Sequence, residues 1–552
     1  MKAAVRWCIV LAIAGLGLWA QAAYVRVPHL VPRPQEVKPL AGEPFELTAQ
    51  SGLYVQAAEV FSPMRTAQFA LGFLREATGL PLREVACWDG QQPLPAGSLL
   101  FCARAGLGPE AYELEVGQEF VRIVSSTEAG AFYGFQTFLQ LLPPEVYAKG
   151  RGVGLRWRAA AVKIRDWPRF AWRGLHVDEC RHFMGPEALR AMIDAMAAHK
   201  MNTLHWHLTD DQGWRLEIRR FPELTAKGAR RASSPCKGDR ARSDGQPYGP
   251  FFYTQAQVKE LLAYAAERQV TIVPEIEMPG HAQALLAAFP ELGCTGGPYE
   301  PWCGWGVSDE IACAGNDQTL RVYEQILDEV LSLFPSVYIH CGGDEAPKRR
   351  WSACPKCQAR MAREGLKDPN RLQTWFMQHF ADYLEARGRH MIGWDEILDG
   401  GLPKGAAVMS WRGAHGGIQA ASQGHRVVMS PNSHAYLDYG QGLPDDPHEY
   451  IGGKVTLRQA YALNPTDGIP SEMHPFVLGV QGNLWSEYIW SPKEQQWKAW
   501  PRAAALAEVG WSAQESRCWP LFRARVKYDL LRLRAMGIHC APLPPEAPEE
   551  TP

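Results

Sequence analysis

Eight short apolar segments, strung between stretches of helical periodicity, constrain this chain more than any other feature. They are Gly174 to Val177, Thr203 to Leu208, Thr271 to Ile276, Val337 to Cys341, Met391 to Trp394, Ala407 to Ser410, Arg426 to Met429 and Val477 to Gln481. Apolar strands that alternate with helices belong to βα units around a parallel sheet, and eight of them is the number that closes a (β/α)₈ barrel. Polar residues cluster just past the C-terminal ends of the segments: Asp178, Asp210 and Asp211, Glu277, Asp344 and Glu345, Asp395 and Glu396, Trp411, Asn432, Trp485 and Glu487. In a barrel those ends meet on one face, where an active site is built, so residues as distant in sequence as Asp178 and Glu487 are expected to line one pocket. The segment between Glu396 and Trp411 is too short for a full crossover helix, and one repeat is expected to be degenerate.

Residues 24–165 have a different texture: a Pro-rich entry from Val27-Pro28 to Pro34, strand-like runs such as Ser98 to Phe101 and Val121 to Val124, and an amphipathic helix over Gly130 to Leu142 closed by Pro143-Pro144. This stretch holds no acid/base cluster and reads as a supporting domain. The expected architecture is therefore α/β, a TIM-type barrel over 166–511 preceded by a smaller α+β domain over 24–165 and followed over 512–552 by a C-terminal helix and a Pro/Glu-rich tail. The first residues, Met1-Lys2 and Arg6, then an apolar run from Trp7 to Trp19, then Ala20-Gln21-Ala22-Ala23, have the form of a secretory signal peptide over 1–23. The run is shorter than the ~20 residues a membrane span needs, so export to the periplasm or the medium, without stable membrane insertion after cleavage, is expected. Lys plus Arg total 57 against 59 Asp plus Glu, which supplies no basic field for nucleic acid.

Cleavage would remove Cys8 and leave twelve of the thirteen cysteines, an even number in an exported chain. Cys354-Pro355-Lys356-Cys357 has the spacing of half a zinc site, but no second Cys-x-x-Cys follows, which favours a local disulfide or free thiols. Cys294, Cys303 and Cys313 form another cluster, expected to staple their Gly-rich loop if oxidised.

The chemistry is concentrated in His340-Cys341-Gly342-Gly343-Asp344-Glu345. Two adjacent carboxylates follow a strand, and the glycines let the backbone turn sharply beneath a substrate. Asp344 capping a helix with Glu345 in its first turn is the plainer reading of the same residues. The chain also has 20 Trp, and Trp394, Trp411 and Trp485 all fall at strand ends. Indole faces pack on the C–H face of a sugar or on an acetyl methyl, so carboxylates beside aromatics in one cleft point to glycoside chemistry.

The motifs Arg173-Gly174-Leu175-His176-Val177-Asp178 with Arg181-His182-Phe183, HWHLTDDQGWR from His205 to Arg215, PEIEMPGHA from Pro274 to Ala282, HCGGDE, GWDE from Gly393, and Trp485-Ser486-Glu487 occur in an order that resembles family-20 glycoside hydrolases, the β-N-acetylhexosaminidases. The resemblance implies that Glu345 is the general acid/base and Asp344 orients the 2-acetamido group, with Tyr436 bonding the acetamido oxygen. It implies Trp394, Trp411 and Trp485 as pocket walls, Arg173, Asp438 and Glu487 as holders of sugar hydroxyls, and Asp210 with His281 as a buried relay tuning Glu345. It further implies exo-acting, retaining release of terminal N-acetylglucosamine and N-acetylgalactosamine from oligosaccharides or glycoconjugates, with the acetamido oxygen as nucleophile and no cofactor or metal. For that role Glu345 must be protonated, and its neighbouring carboxylate is expected to raise its pKa.

Two rival readings remain. His205-Trp206-His207 offers two imidazoles for a metal-dependent amidohydrolase, or else a structural pair hydrogen-bonded inside the barrel; and aromatic platforms also serve carbohydrate-binding proteins that do no chemistry.

Overall fold

The computed structural model describes residues 29–545 apart from 60, 92, 149 and 151–153. The proposed signal peptide and the last part of the Pro/Glu tail lie outside the described residues. The described residues divide into two compact units, one within 29–168 together with 511–537, and one formed by 169–510 together with 538–545.

The second unit is a closed barrel of eight strands, β1 (Trp172–Asp178), β2 (Thr203–His207), β3 (Thr271–Met278), β4 (Tyr338–Gly342), β5 (His390–Trp394), β6 (Ala407–Ser410), β7 (Val427–Met429) and β8 (Val477–Leu484). Every neighbouring pair is parallel, and β8 closes on β1 with Arg173 opposite Val480 and Val177 opposite Leu484. Each of the eight apolar segments is thus a barrel strand. The short β5–β6 connection contains only a 3₁₀ turn, Asp395–Leu398, as its length requires. Trp172, Val273, Ile392, Trp394, Ala407, Met409 and Val428 pack together as an apolar cluster, with Trp411 and Trp485 leaning on it. Longer connections contain helices such as Pro186–Ala198, Gln255–Glu267, Asp317–Leu333 and Pro369–Glu385. Their starts are chemically marked: Thr254 and Gln257 form a capping box, and Asp368 accepts the Asn370 and Arg371 N–H groups before Pro369.

The first unit is built on a seven-stranded mixed sheet with the helices Met64–Thr78 and Glu128–Leu141. The second of these begins at Thr127, whose hydroxyl accepts the Gly130 N–H. The helix Trp519–Ala535 belongs to this unit, where Arg525 donates to the Leu30 carbonyl and Arg532 to those of His29 and Gln140. Among the described residues no helix is long and apolar enough to cross a membrane.

Candidate active site

The site grows from the end of β4. Gly342 has φ +63°, and a Cβ there would run into the Glu277 carboxylate from β3, so only glycine permits the close approach of these two strand ends. The turn that follows is fixed by Gln373, which donates to the Gly343 carbonyl at 2.6 Å. It presents Asp344, which is buried, and Glu345, whose side chain stays 39% exposed. The two acids are therefore inequivalent, as their position after a strand suggested, and Asp344 does not cap a helix.

His281 faces both. Its Nε2 lies 3.6 Å from Asp344 Oδ2 and 3.5 Å from Glu345 Oε2, while Nδ1 lies 3.0 Å from Asp211 Oδ2 and 3.3 Å from Asp210 Oδ1. The sequence pointed to Asp210 as the partner of His281; Asp211, absent from that assignment, is the nearer one. Burial alone would lower the His281 pKa, but Asp210 and hydrogen bonds to Asp210, Asp211 and Glu345 raise it well above the ordinary value. The contact with His281 reverses the expectation for Glu345. Its pKa is lowered, chiefly by the His281 hydrogen bond, whereas burial, with Glu275 and Glu345 adding and His281 opposing, pushes Asp344 up to about 6.

A second polar group surrounds Arg181. Its guanidinium lies 3.2 Å from Asp178, 2.9 Å from Asp210 and 4.0 Å from Glu487, and its Nε donates to Gln212 at 2.9 Å. Arg173 does not join it. That residue stands at the opposite end of β1, fully buried, with its guanidinium donating to the Lys200 and Phe170 carbonyls at 2.7 and 2.8 Å. The assignment of Arg173 to the sugar hydroxyls is corrected accordingly; the arginine that lies among Asp178, Asp210 and Glu487 is Arg181, past the C-terminal end of the same strand.

Asp438 and Glu487 are brought together as expected. Both are buried; neither Asp438 oxygen nor Glu487 Oε2 has a hydrogen-bond partner, and burial, with their mutual repulsion, pushes Asp438 up to about 8, while burial also raises Glu487. The loop carrying Tyr436 and Asp438 is fastened by Arg502, which donates to the Leu437, Tyr439, Val455 and Lys498 carbonyls. Nothing in the local sequence marks Arg502 for this role.

The aromatic residues form a chain. Trp394 and Trp485 have ring centroids 5.7 Å apart, Tyr436 lies beside Trp485, and Trp411 stacks on Tyr436 at 5.9 Å with 22° between planes. Trp394 is a buried floor that donates to Glu275 at 2.7 Å, whereas Trp411 is half-buried and donates to Glu396 at 2.8 Å. Tyr436 feels the Asp344 charge, which sets the aromatic chain beside the paired acids.

Beneath the pocket, Glu275 gathers the histidines of the barrel interior. His207 Nδ1 bonds it, His205 Nε2 lies 3.0 Å away and His340 Nδ1 2.8 Å away, all fully buried. The His205 and His207 imidazoles are engaged by a carboxylate inside the barrel, which matches the structural reading of that pair.

Paired acids, an aromatic pocket and unsatisfied acceptors at the C-terminal face of a (β/α)₈ barrel define a glycoside hydrolase. Residues 170–514 match the glycosyl hydrolase family 20 catalytic domain, and 27–167 match domain 2 of the same family. A β-hexosaminidase of Porphyromonas gingivalis is 40% identical over 550 residues, covering 97% of this chain and 68% of that protein. The N-acetyl-β-hexosaminidase of Streptomyces plicatus has a TM-score of 0.80 at 30% identity, over 94% of this chain and 97% of that one. The exo-β-N-acetylglucosaminidase of Vibrio harveyi, solved with N-acetylglucosamine, has a TM-score of 0.81 at 29% identity, over 93% and 78%. The chain belongs to glycosyl hydrolase family 20, and its activity is that of a β-N-acetylhexosaminidase.

Proposed function

We propose that the enzyme is exo-acting and retaining, and that it releases terminal N-acetylglucosamine and N-acetylgalactosamine with the substrate's own acetamido oxygen as nucleophile. The carrying observation is that Asp344 and Glu345 converge on one imidazole nitrogen, at 3.6 and 3.5 Å. Acids on one side of a pocket do not straddle a glycosidic bond, as the two carboxylates of an ordinary retaining enzyme must, and family 20 is among the exceptions to that scheme. Glu345 gives its proton to the leaving oxygen as the acetamido oxygen attacks the anomeric carbon. Asp344, ionised, takes the amide N–H and stabilises the positive charge of the oxazolinium; Tyr436 steadies the acetamido oxygen. Glu345 then removes a proton from the water that opens the ring. Binding of the sugar covers Glu345 and strips its water, which raises the carboxyl's proton affinity from its low resting value.

Asp438 and Glu487 offer acceptor oxygens that no protein donor takes, and these can receive a hydroxyl hydrogen from either 4-epimer. Trp411 and Trp485 wall the acetamido side, which supports a pocket closed beyond the non-reducing sugar and release of single sugars. Export through the N-terminal segment is part of the same proposal, and N-terminal sequencing of secreted protein tests it. The mechanism is tested by proton NMR of the first product formed, together with an aryl β-glucoside lacking the N-acetyl group. Retention with scarcely any glucoside cleavage is expected; an α-configured first product, or equal rates on both substrates, overturns it.

A further inference from the structure

Four cysteines from two separate loops meet at one point. Cys294 and Cys313 come from the β3 side, where an antiparallel bridge between Gly293 and Ala312 draws the ends of their loop together. Cys354 and Cys357 come from the β4 side, at the start of the helix Pro355–Glu364. All four Sγ atoms lie within 4.8 Å of one another, and none is in a disulfide. Sγ of Cys313 is 3.6 Å from Cys357 and 3.8 Å from Cys354, and Cys294 is 3.9 Å from Cys357. A tetrahedron of metal–sulfur bonds of ~2.3 Å has edges of about 3.8 Å, so these thiols already stand at the corners of a zinc-sized cage. Three of the four are buried, and Cys294 is half-buried.

The backbone is shaped for this meeting. A Cβ on Gly315 would collide with the backbone of Lys356 and Cys357, so glycine is needed for the two loops to touch. Trp351 fastens them from the side, its indole donating to the Ala312 carbonyl at 2.9 Å. Cys303, grouped with Cys294 and Cys313 on sequence alone, stays outside; its Sγ contacts the Pro301 carbonyl at 3.8 Å. Of the two alternatives for Cys354 and Cys357, a local disulfide or free thiols, the structure has free thiols, and they join Cys294 and Cys313, not Cys303, in a four-thiol cluster.

We infer that Cys294, Cys313, Cys354 and Cys357 bind one tetrahedral metal ion of thiophilic character, zinc, as a structural site separate from the sugar pocket. Four thiolates complete the coordination shell and leave no open position, the arrangement of a structural rather than a catalytic zinc. Binding deprotonates the thiols, so occupancy falls as pH falls. The ion would pin the loop between Cys294 and Cys313, whose Trp302 N–H donates to the Asp211 carbonyl at 2.9 Å, to the loop that follows Asp344 and Glu345. It would thereby hold the two halves of the His281–Glu345 contact in register.

The test is elemental analysis of the full-length enzyme purified without chelator, after incubation with zinc chloride and desalting. About one zinc per chain is expected in the wild type and in Cys303→Ser, and less than about a tenth in Cys313→Ser/Cys357→Ser. Because the double variant can fail to fold, cobalt substitution of the wild type gives an independent reading: an intense thiolate-to-cobalt charge-transfer band that zinc displaces. A wild-type chain that takes up neither metal overturns the inference, as does an intact mass short by the hydrogens of disulfides within this cluster, or zinc retained in full by a folded double variant.

Discussion

Glu275 and Asp438 are both buried carboxylates of the barrel unit, yet burial has opposite consequences for them. Glu275 receives the Trp394 N–H and is ringed by His205, His207 and His340, and despite burial these neighbours hold its pKa well below the ordinary value. Asp438 has neither oxygen bonded, and burial with the Glu487 charge pushes it up to about 8. The difference separates framework from receptor. A buried acid with donors around it organises its surroundings, whereas one without donors costs roughly 1–3 kcal/mol until a ligand's hydroxyl arrives.

The largest effect is expected at the acid that belongs to neither class. Glu345 is partly exposed, and if it exchanges its proton during turnover as proposed, Glu345→Gln should lower kcat/KM on natural glycosides by about 10²–10⁴-fold and less on aryl substrates with acidic leaving groups. Equal losses on both would remove Glu345 from the acid role. Glu275→Gln should come next, destabilising the barrel by about 3–5 kcal/mol in denaturant titrations, because it removes the buried negative charge that, against burial, helps push the His207 pKa up to about 10. The contrast breaks if that variant proves as stable as the wild type. Asp438→Asn and Glu487→Gln should instead leave stability within about 1 kcal/mol or improve it, while raising KM about tenfold or more through lost bonds to sugar hydroxyls.

Titration sharpens the same contrast. Asp438 has a folded pKa of about 8 against an ordinary 3.8, so its contribution to stability is full below the lower value and is lost as pH rises through the higher. Asp438→Asn should flatten that part of the stability–pH curve, whereas the contribution of Glu275, whose pKa is lowered, is lost only as pH falls. Asp344, pushed up to about 6, must be ionised to assist catalysis. The kcat/KM of the wild type should therefore decline below about pH 6, with no such limb in the residual activity of Asp344→Asn.

The barrel was readable because each strand is a short apolar run bounded by polar residues, and strand ends are where barrel chemistry collects. The same rule, applied consistently, would have chosen Arg181 over Arg173. Both lie in one motif, but only Arg181 lies past the end of the strand. Asp210 and Asp211 are neighbours, and which one faces His281 depends on the turn after β2, which side-chain alternation does not specify. The resting direction of the Glu345 pKa is hidden from the sequence, because adjacency to Asp344 is visible there while the contact with His281 is not. The four-cysteine cluster escaped because one half is contiguous and the other is split across a loop.

Among the described residues four that are not glycine have positive φ: Lys200, Gln269, His281 and Glu345. The first two follow the helices Pro186–Ala198 and Gln255–Glu267, an ordinary place for a left-handed turn. The other two are the partners of the 3.5 Å contact between His281 Nε2 and Glu345 Oε2, and side chains held in that conformation cost ~1–3 kcal/mol apiece. Replacement of either by glycine would relax the backbone while deleting a working group. Laboratory evolution toward heat resistance alone should therefore erode His281 and Glu345 before less strained parts of the barrel, unless hydrolysis is selected in parallel.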